Sequence, residues 1–568
     1  MLVSVRNNFN VGDDDTFWIV DTSKLPPEQF QITANVAYRT EHSYWWVDND
    51  FEINEDDLIN SAEKFETKTY PTNHAYFGTE WSPGIDNDYR IHILMANVPG
   101  VAGYFASSNE YSHTADPYSN QREIILINAN IMRPGTTRFD GVIAHEFQHM
   151  IHWHLDANED AWVNEGLSEL AEFVNGHGQS NFLAHYLTDT DLQLTSWGRT
   201  DSIRLANYGA SFLFLSYFYD RFGQDAIRQL VAQPRNGVFG FEQALHDIKA
   251  AVNFDQLFAD FALANYLNNI SIGDGMWGYN IADIEIHGLM AQTNLTMFPV
   301  EQTELVHQYG VDYVAIKPET DTDLTITFEA PTTVPLINNQ AHGGSYQWYS
   351  NRGDECNTHL TRAFDLSNLT QATLTFWAWY DIEQDWDYAY ITVSSDSGKT
   401  WDILPASSTT DVNPVGNSYG HGFTGMSGNG SSPTWQQEIA DLSPYIGQEI
   451  LIRFEHISDD AVNLQGLAID DIQIPELDYF HSAEDGDDGW QAKGFIRTDN
   501  ILEQRFIIYI IEFDTLRNPT VNRMLLDKNN RGEYTLHGFG PQLDEAILVI
   551  SGQAMVTTTP ARYKYIIR

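Results

Sequence analysis

Hydrophobic and polar residues alternate in short runs over the first 50 residues, and this pattern predicts β-strands. The runs TFWIVDTS, FQITANVAYRT and EHSYWWVD are rich in aromatic and β-branched residues and are separated by turn residues. A helical pattern follows at about residues 56–67. Two apolar runs, at 90–98 and 122–131, then predict buried strands, and GVAGYFA at 100–106 between them predicts an edge strand.

From about residue 137 the apolar residues recur with a helical period, which predicts a series of helices as far as about residue 290. Thr137 and Asp140 have the spacing of a capping box, with Thr137 as the N-cap of a helix that runs to about residue 154. A second helix is predicted at about 159–175, where Gly176 and Gly178 end it. Beyond about residue 300, short strand-like runs separated by turn residues are typical of β-sandwiches.

A chain of 568 residues is too long for a single core, so several domains are expected. Its 79 Asp and Glu residues outnumber its 30 Lys and Arg residues, and the net charge of −49 argues against nucleic acid or an anionic membrane as a partner. Cys356 is the only cysteine, which excludes an intrachain disulfide. No apolar run reaches the ~18 residues of a membrane span. The N-terminus has no signal-peptide pattern, and we expect a secretion leader to be missing from this sequence.

The candidate chemistry is concentrated in HEFQH, where His145, Glu146 and His149 follow the pattern H-E-x-x-H. On a helix, residues four apart lie on one face, so both histidines can bind one metal ion. Glu146 lies about 100° around the helix from His145 and can reach a water molecule that the metal activates. This arrangement predicts a general base for zinc-dependent hydrolysis.

A catalytic zinc site needs a third protein ligand. The pattern with a third histidine fails, because His152 stands at its glycine position and Leu155 at its last histidine position. Glu165, on the next predicted helix, fits this role. Glu169, one turn further, is expected to accept a hydrogen bond from a ligand imidazole, and Asn164 is a weaker candidate for the same task. His152 itself is interpreted as a packing or rim residue rather than a ligand.

The stretch HEFQHMIHW, followed by EDAWVNEGLSELAEF, resembles the gluzincin metallopeptidases, and most closely the bacterial hyicolysin-like peptidases. The resemblance covers roughly residues 75–290 and implies a zincin-like α+β catalytic domain with a mixed sheet and a helical half. It implies His145, His149 and Glu165 as zinc ligands and Glu146 as the base. The gap between His149 and Glu165 is shorter than in thermolysin-type enzymes.

Two supporting roles are also predicted. Peptidases of this class resemble one another in pairing extended substrate with an edge strand, and Gly103, Tyr104 and Phe105 are expected to form it; a plain core strand is the alternative. Tyr208 is expected to stabilise the oxyanion, and the alternative is a tyrosine packed in the core.

Residues 336–476 resemble the jelly-roll module of immune inhibitor A-type secreted peptidases, notably in GSYQWYSNRGDECNTH and GLAIDDIQI. Such modules often hold a structural calcium ion, for which hard carboxylate oxygens on loops are suited. Its predicted ligands are Asp354, Glu355, Asp470 and Asp471, and solvated turn acids are the alternative.

The predicted architecture is multidomain. A zincin-like domain covers 1–295, with a β-rich part at 1–70, and an all-β region follows. There, residues 300–335 and 477–568 are expected to form one β-sandwich into which the jelly roll of 336–476 is inserted. Strands from 308–330 should then pair with strands from 495–568.

The sequence thus predicts a secreted zinc endopeptidase that acts on extracellular proteins, is monomeric, and binds one catalytic Zn²⁺ and a structural Ca²⁺. Its partner would be a protein or peptide substrate, including a mucin-like glycoprotein. The rival hypothesis is a non-catalytic surface or glycan-binding adhesin with a relic peptidase fold. The intact set of ligands and base disfavours this rival.

Overall fold

The computed structural model describes residues 8–24, 26–281, 284–460 and 462–568. The strand-like opening of the chain falls partly on residues 1–7 and there lies outside the described residues. The chain divides into two compact units. Unit 1 comprises Met1–Leu187, Arg204–Leu257 and Leu267–His287, and unit 2 comprises Thr188–Ile203, Phe258–Tyr266 and Gly288–Arg568.

Unit 1 begins with a mixed six-stranded sheet of order β1-β2-β3-β4-β6-β5. Its strands are β1 (Asp14–Asp21), β2 (Glu28–Arg39), β3 (Ser43–Asp48), β4 (Ile91–Ala96), β5 (Gly103–Phe105) and β6 (Ile124–Asn128). The neighbours β3, β4 and β6 are parallel and buried at every position, as their continuous apolar runs require. Strand β5 pairs antiparallel with β6 and forms the edge of the sheet.

The helices carry the second half of this unit and continue into unit 2. They are α1 (Glu55–Lys64), α2 (Tyr70–Phe77), α3 (Thr137–Leu155), α4 (Ala161–Val174), α5 (Leu183–Thr188), α6 (Asp201–Phe222), α7 (Gln224–Val231), α8 (Gly237–Asp247) and α9 (Phe254–Leu267). A π-helical turn at Phe65–Thr69 joins α1 to α2, so the helical segment is longer than predicted. Within the described residues, no helix has both the length and the apolarity to cross a membrane.

The N-cap of α3 differs from the prediction by one residue. Thr136, rather than Thr137, has the extended backbone of a cap, and its hydroxyl accepts the N–H of Phe139 at 3.3 Å. Thr136 and Thr137 are adjacent and have the same side chain, so the sequence alone does not show which one is the N-cap. The extended backbone angles of Thr136 identify it as the cap. The predicted start of the second helix was also early, since α4 begins at Ala161.

Unit 2 is rich in β-structure. Its strands are β7 (Thr293–Leu295), β8 (Val300–Val306), β9 (Asp312–Ile316), β10 (Leu324–Glu329), β11 (Thr333–Pro335), β12 (Gln347–Tyr349), β13 (Asn357–Asp365), β14 (Thr373–Asp381), β15 (Tyr388–Ser394), β16 (Asp402–Ile403), β17 (Gln436–Asp441), β18 (Glu449–Ile457), β19 (Gly466–Ile474), β20 (Tyr479–His481), β21 (Gln491–Lys493), β22 (Ile496–Thr498), β23 (Ile501–Glu503), β24 (Phe506–Asp514), β25 (Pro519–Arg523), β26 (Arg531–Leu536), β27 (Leu543–Gly552) and β28 (Ala561–Ile567).

Unit 2 contains one sandwich nested within another. The outer one has sheets of order β26-β10-β28-β8 and β25-β24-β27-β9-β7, around an apolar core that includes Ile326, Ile510 and Ile550. The inner one has sheets of order β17-β14-β19-β12-β22, to which β20 is added, and β16-β15-β18-β13-β21, around a core that includes Trp348, Phe376 and Phe454. The pairing expected between 308–330 and the C-terminal tail is present, because β9 pairs with β27, and β10 with β26 and β28.

The inner sandwich extends further along the chain than the predicted end at residue 476. Strand β20 pairs with β19, β21 with β13, and β22 with β12, so residues as far as Thr498 belong to its sheets. These strands have three residues each, and so short a run carries too little pattern to assign it to one sheet or the other.

Candidate metal centre

Helices α3 and α4 bring the candidate ligands together. In α3, Phe147, Met150 and Ile151 are fully buried, which anchors the helix by one face. His145 and His149 lie one turn apart on a half-buried face, and their ring centroids are 4.9 Å apart.

One oxygen of Glu165 faces both histidines. Its Oε2 lies 3.3 Å from Nε2 of His145 and 3.5 Å from Nε2 of His149. One ligand atom from each of the three side chains lies within 4.8 Å of the other two. Two imidazole nitrogens and one carboxylate oxygen are a donor set that suits zinc and leaves a position open for water or substrate.

The charges around this group favour a cation. Burial alone would lower the pKa of His145. Its hydrogen bonds to Glu165 and Glu172 more than reverse this effect, so the pKa of His145 lies well above its ordinary value. Burial raises the pKa of Glu165, but His149 and His145 lower it more strongly, so the carboxylate remains charged. The residues present therefore fit a bound divalent metal ion.

Polar groups hold the other nitrogen of each histidine. Nδ1 of His145 lies 3.3 Å from Oε1 of Glu172 and 3.9 Å from Oε1 of Glu169. Nδ1 of His149 lies 3.1 Å from Oδ1 of Asn164. The structure thus places the predicted Glu169 and Asn164 next to the candidate ligands and adds Glu172, which the sequence analysis missed. Its signal was its position two helical turns after Glu165.

Glu146 lies between the candidate ligands and the edge strand. It is 8% exposed, and its Oε2 accepts the backbone N–H of Phe105 at 2.9 Å. Burial raises the pKa of Glu146, and the two histidines offset part of that rise. The predicted base and the predicted substrate strand, Gly103 to Phe105, are therefore direct neighbours.

Gly103 allows β5 to approach its neighbours closely. A Cβ atom at this position would lie 2.9 Å from the backbone oxygen of Leu126 and 2.8 Å from Cδ1 of Ile127. Any larger residue would push the strand away from β6. Tyr104 is half-buried and packs against the core of the sheet.

Tyr208 lies two turns into α6 and reaches the same group of side chains. Burial, followed by the charges of Glu165, Glu169 and Glu146, raises its pKa well above the ordinary value, so the phenol keeps its proton. Its hydroxyl also hydrogen-bonds to Glu165. Tyr208 is thus a proton-bearing donor beside the candidate ligands as well as a packed residue, since its ring lies 5.3 Å from that of Phe182.

The four predicted calcium ligands do not share one set of contacts. Asp354 accepts a hydrogen bond from Asn463, and Glu355 is exposed, whereas Asp470 and Asp471 contact Gly343 and His342. Among the described residues, the carboxylates of this sandwich that converge are instead Glu383, Asp387 and Asp459. The structure thus does not group the four predicted residues as one ligand set, and calcium binding by this module stays a prediction.

Comparison with known proteins shows a similarity in the β-rich part of the chain. Residues 318–500 match the family model described as "Immune inhibitor A-like, MAM domain". The chain is 30% identical over 152 residues to pre-pro-metalloprotease PrtV of Vibrio cholerae serotype O1, which is 27% of this chain and 15% of that protein. It is 24% identical over 170 residues to immune inhibitor A of Bacillus thuringiensis subsp. alesti, which is 29% of this chain and 23% of that one.

Bacillopeptidase F of Bacillus subtilis is 29% identical over 103 residues, 18% of this chain and 6% of its own. Among solved structures, dimeric latent PorU from Porphyromonas gingivalis aligns with 43% of this chain and 22% of its own, at 12% identity and a TM-score of 0.12, which carries no structural argument. The chain matches less than a quarter of the length of each of the three sequence relatives, within its own C-terminal portion. The chain thus carries a segment similar to the immune inhibitor A-like MAM domain, and its relatives include a named metalloprotease.

Proposed function

We propose that this protein is a zinc-dependent endopeptidase of the gluzincin kind, hyicolysin-like in its catalytic residues and zincin-like in its catalytic domain. The observation that carries the proposal is the convergence of His145, His149 and Glu165, with Glu146 beside them. The relative named as a metalloprotease supports the same class of activity.

His145, His149 and Glu165 would hold the zinc ion, which lowers the pKa of water and polarises the scissile carbonyl. Glu146 takes the proton from the attacking water and passes it to the leaving amine. The hydrogen bond from Phe105 fixes one carboxylate oxygen of Glu146 and leaves the other free for this transfer. Tyr208 donates a hydrogen bond to the oxyanion, and β5 pairs with the extended substrate.

The substrates we propose are extracellular proteins, including glycoproteins, and the protein is proposed to act outside the cell as a monomer. The net charge of −49 supports solubility in a salty medium and disfavours anionic partners. The nested sandwiches of unit 2 would bind or position a macromolecular substrate.

The test is Glu146→Gln, which keeps the shape of the side chain and removes its basicity. Casein cleavage should fall at least about 100-fold, while the zinc content measured by mass spectrometry stays unchanged. Glu52→Gln, at an exposed position, is the matched control and should cleave casein as the parent does. A Glu146→Gln protein with parental activity, or a parent purified without chelator that contains no zinc, would refute the proposal.

The alternative proposal is a non-catalytic adhesin that binds glycan through its jelly roll. It predicts retention on a glycan array together with no cleavage of any protein in a substrate panel. The arrangement of Glu146 at the ligand group disfavours it, because a relic site has no need to keep both base and ligands in place.

A further inference from the structure

A second group of metal-binding side chains lies where α3 ends and α4 begins. It consists of His152, Asp156 and Glu159, which are 1%, 8% and 5% exposed. One ligand atom from each side chain lies within 4.8 Å of the other two. Each residue also has one buried atom without a hydrogen-bond partner: Nε2 of His152, Oδ2 of Asp156 and Oε2 of Glu159.

The hydrogen bonds of the neighbouring atoms define what these three atoms can do. Nδ1 of His152 lies 3.0 Å from Oδ1 of Asn164, and an amide oxygen only accepts, so Nδ1 carries the proton. Nε2 of His152 then holds a lone pair. Oε1 of Glu159 accepts the N–H groups of Asp160 and Gly237, each at 2.7 Å, which leaves Oε2 without a donor.

Three neighbouring side chains thus each carry one buried acceptor without a donor. Unpaired buried acceptors destabilise a fold, and a cation bound by all three side chains would satisfy them. Without a cation, burial raises the pKa of both Asp156 and Glu159, and bound protons are the competing solution.

We propose that His152, Asp156 and Glu159 bind a second zinc ion, separate from the one at His145, His149 and Glu165. One imidazole nitrogen with two carboxylate oxygens suits zinc, whereas calcium and magnesium prefer oxygen ligands alone. The ion would have a structural role, because it ties the last turn of α3 to the segment that leads into α4.

Asn164 connects this ion to the catalytic group. Its Oδ1 accepts from Nδ1 of His149 at 3.1 Å and from Nδ1 of His152 at 3.0 Å. The next residue is Glu165, the third ligand of the catalytic group. A metal ion at His152 therefore stabilises the part of α4 that positions Asn164 and Glu165.

The test is zinc stoichiometry, measured by mass spectrometry after dialysis against a zinc buffer that leaves only tight sites filled. The parent should hold about two zinc ions per chain, and Asp156→Asn and Glu159→Gln about one. His154→Ala, at an exposed position of the same helix, is the matched control and should keep both. A parent with a single zinc ion that Glu159→Gln retains would overturn the proposal and indicate bound protons instead.

A second measurement tests this inference independently of the proposed catalytic site. It also does not depend on whether the Asp156→Asn and Glu159→Gln proteins fold. His149→Ala should retain about one zinc ion, with nitrogen and oxygen neighbours in its X-ray absorption spectrum. Retention of that ion supports the second site even where the peptidase proposal fails. Complete loss of zinc in a folded His149→Ala protein, judged by circular dichroism, would contradict the second site.

Discussion

Tyr208 is held among the acidic side chains of the candidate metal centre. Its hydroxyl hydrogen-bonds to Glu165, and burial, followed by the charges of the nearby carboxylates, raises its pKa and keeps it protonated. A phenol that donates to a ligand carboxylate can turn to a developing oxyanion at little cost, because both acceptors carry negative charge. At the scale of single residues, this position is consistent with the proposed role of Tyr208 as a donor to the oxyanion.

Tyr208→Phe should therefore lower kcat for casein-derived peptides by about 10²–10³-fold, with little change in zinc content. Steady-state kinetics and metal analysis measure the two quantities. Tyr219→Phe removes a hydroxyl from the same helix, about three turns away, and should leave kcat unchanged. Equal kinetics for Tyr208→Phe and the parent would show that Tyr208 only packs.

The buried carboxyl group of Glu123 is expected to make the stability of the protein depend on pH. It is 2% exposed, its Oε2 has no partner, and burial followed by the charge of Glu110 raises its pKa from 4.5 to about 9. The pKa of Glu123 is higher in the folded protein than in the unfolded chain, so the folded protein binds this proton more tightly. The resulting contribution to the free energy of unfolding is fully present below pH 4.5 and is lost as the pH rises through about 9.

Glu123→Gln should thus stabilise the protein by about 1–3 kcal/mol at pH 8 and change its stability little at pH 4.5. Thermal unfolding at both pH values measures the difference, with the exposed Glu52→Gln as control. A gain that is equal at the two pH values would argue against a proton bound at Glu123.

At the scale of elements, regular periodicity predicted the helices and the central strands, and with them the two histidines of the candidate metal centre. His145 and His149 could be predicted because a helix alone places residues four apart on one face. The grouping of His152 with Asp156 and Glu159 was not predicted, because both carboxylates lie in the segment between α3 and α4, where periodicity gives no spatial information. The N-cap at Thr136 was missed for a related reason, since it depends on backbone angles.

Strand β5 is the element to which we assign the proposed pairing with substrate, and Gly103 allows it to approach β6 closely. Gly103→Ala would place a Cβ 2.9 Å from the backbone oxygen of Leu126, which cannot move without shifting β6. We expect a loss of about 1–3 kcal/mol in stability and a larger relative fall in kcat/KM for extended peptides than for dipeptides. Thermal unfolding and kinetics on both substrate lengths test this.

Gly430→Ala is a suitable control for Gly103→Ala, because its Cβ would meet no atom closer than 3.5 Å. It should behave as the parent does in both assays. If Gly103→Ala lowers activity equally on short and long substrates, β5 acts through general stability rather than through pairing with substrate.

At the scale of the whole molecule, the nested sandwiches could be inferred because the flanking strands lacked partners of their own. Residues 308–330 are too few for a domain, so their partners had to come from the C-terminal tail. The pairing of β20, β21 and β22 with strands of the inner sandwich was not predicted, because these are three-residue strands whose sheet is decided by tertiary contacts. The position of these strands along the chain did not show which sheet they join.

The two-stranded ladder of β11 and β23 is the connection between the two sandwiches, and it provides the sharpest test of the nesting. Its last pair, Pro335 with Ile501, is antiparallel, so the two Cα atoms lie at the distance that a two-residue hairpin turn spans.

Replacing residues 336–500 by Asn-Gly should leave the outer sandwich folded, because the outer core takes no residue from that segment. Circular dichroism, thermal unfolding and limited proteolysis would detect a cooperative, protected product, while the excised segment should fold separately around its own core. Deleting residues 506–568 instead removes the strands that pair with β8 and β10 and one of the two neighbours of β9, and it should give an aggregated protein. If the Asn-Gly variant aggregates as that deletion does, the two sandwiches fold as one unit and the nesting is wrong.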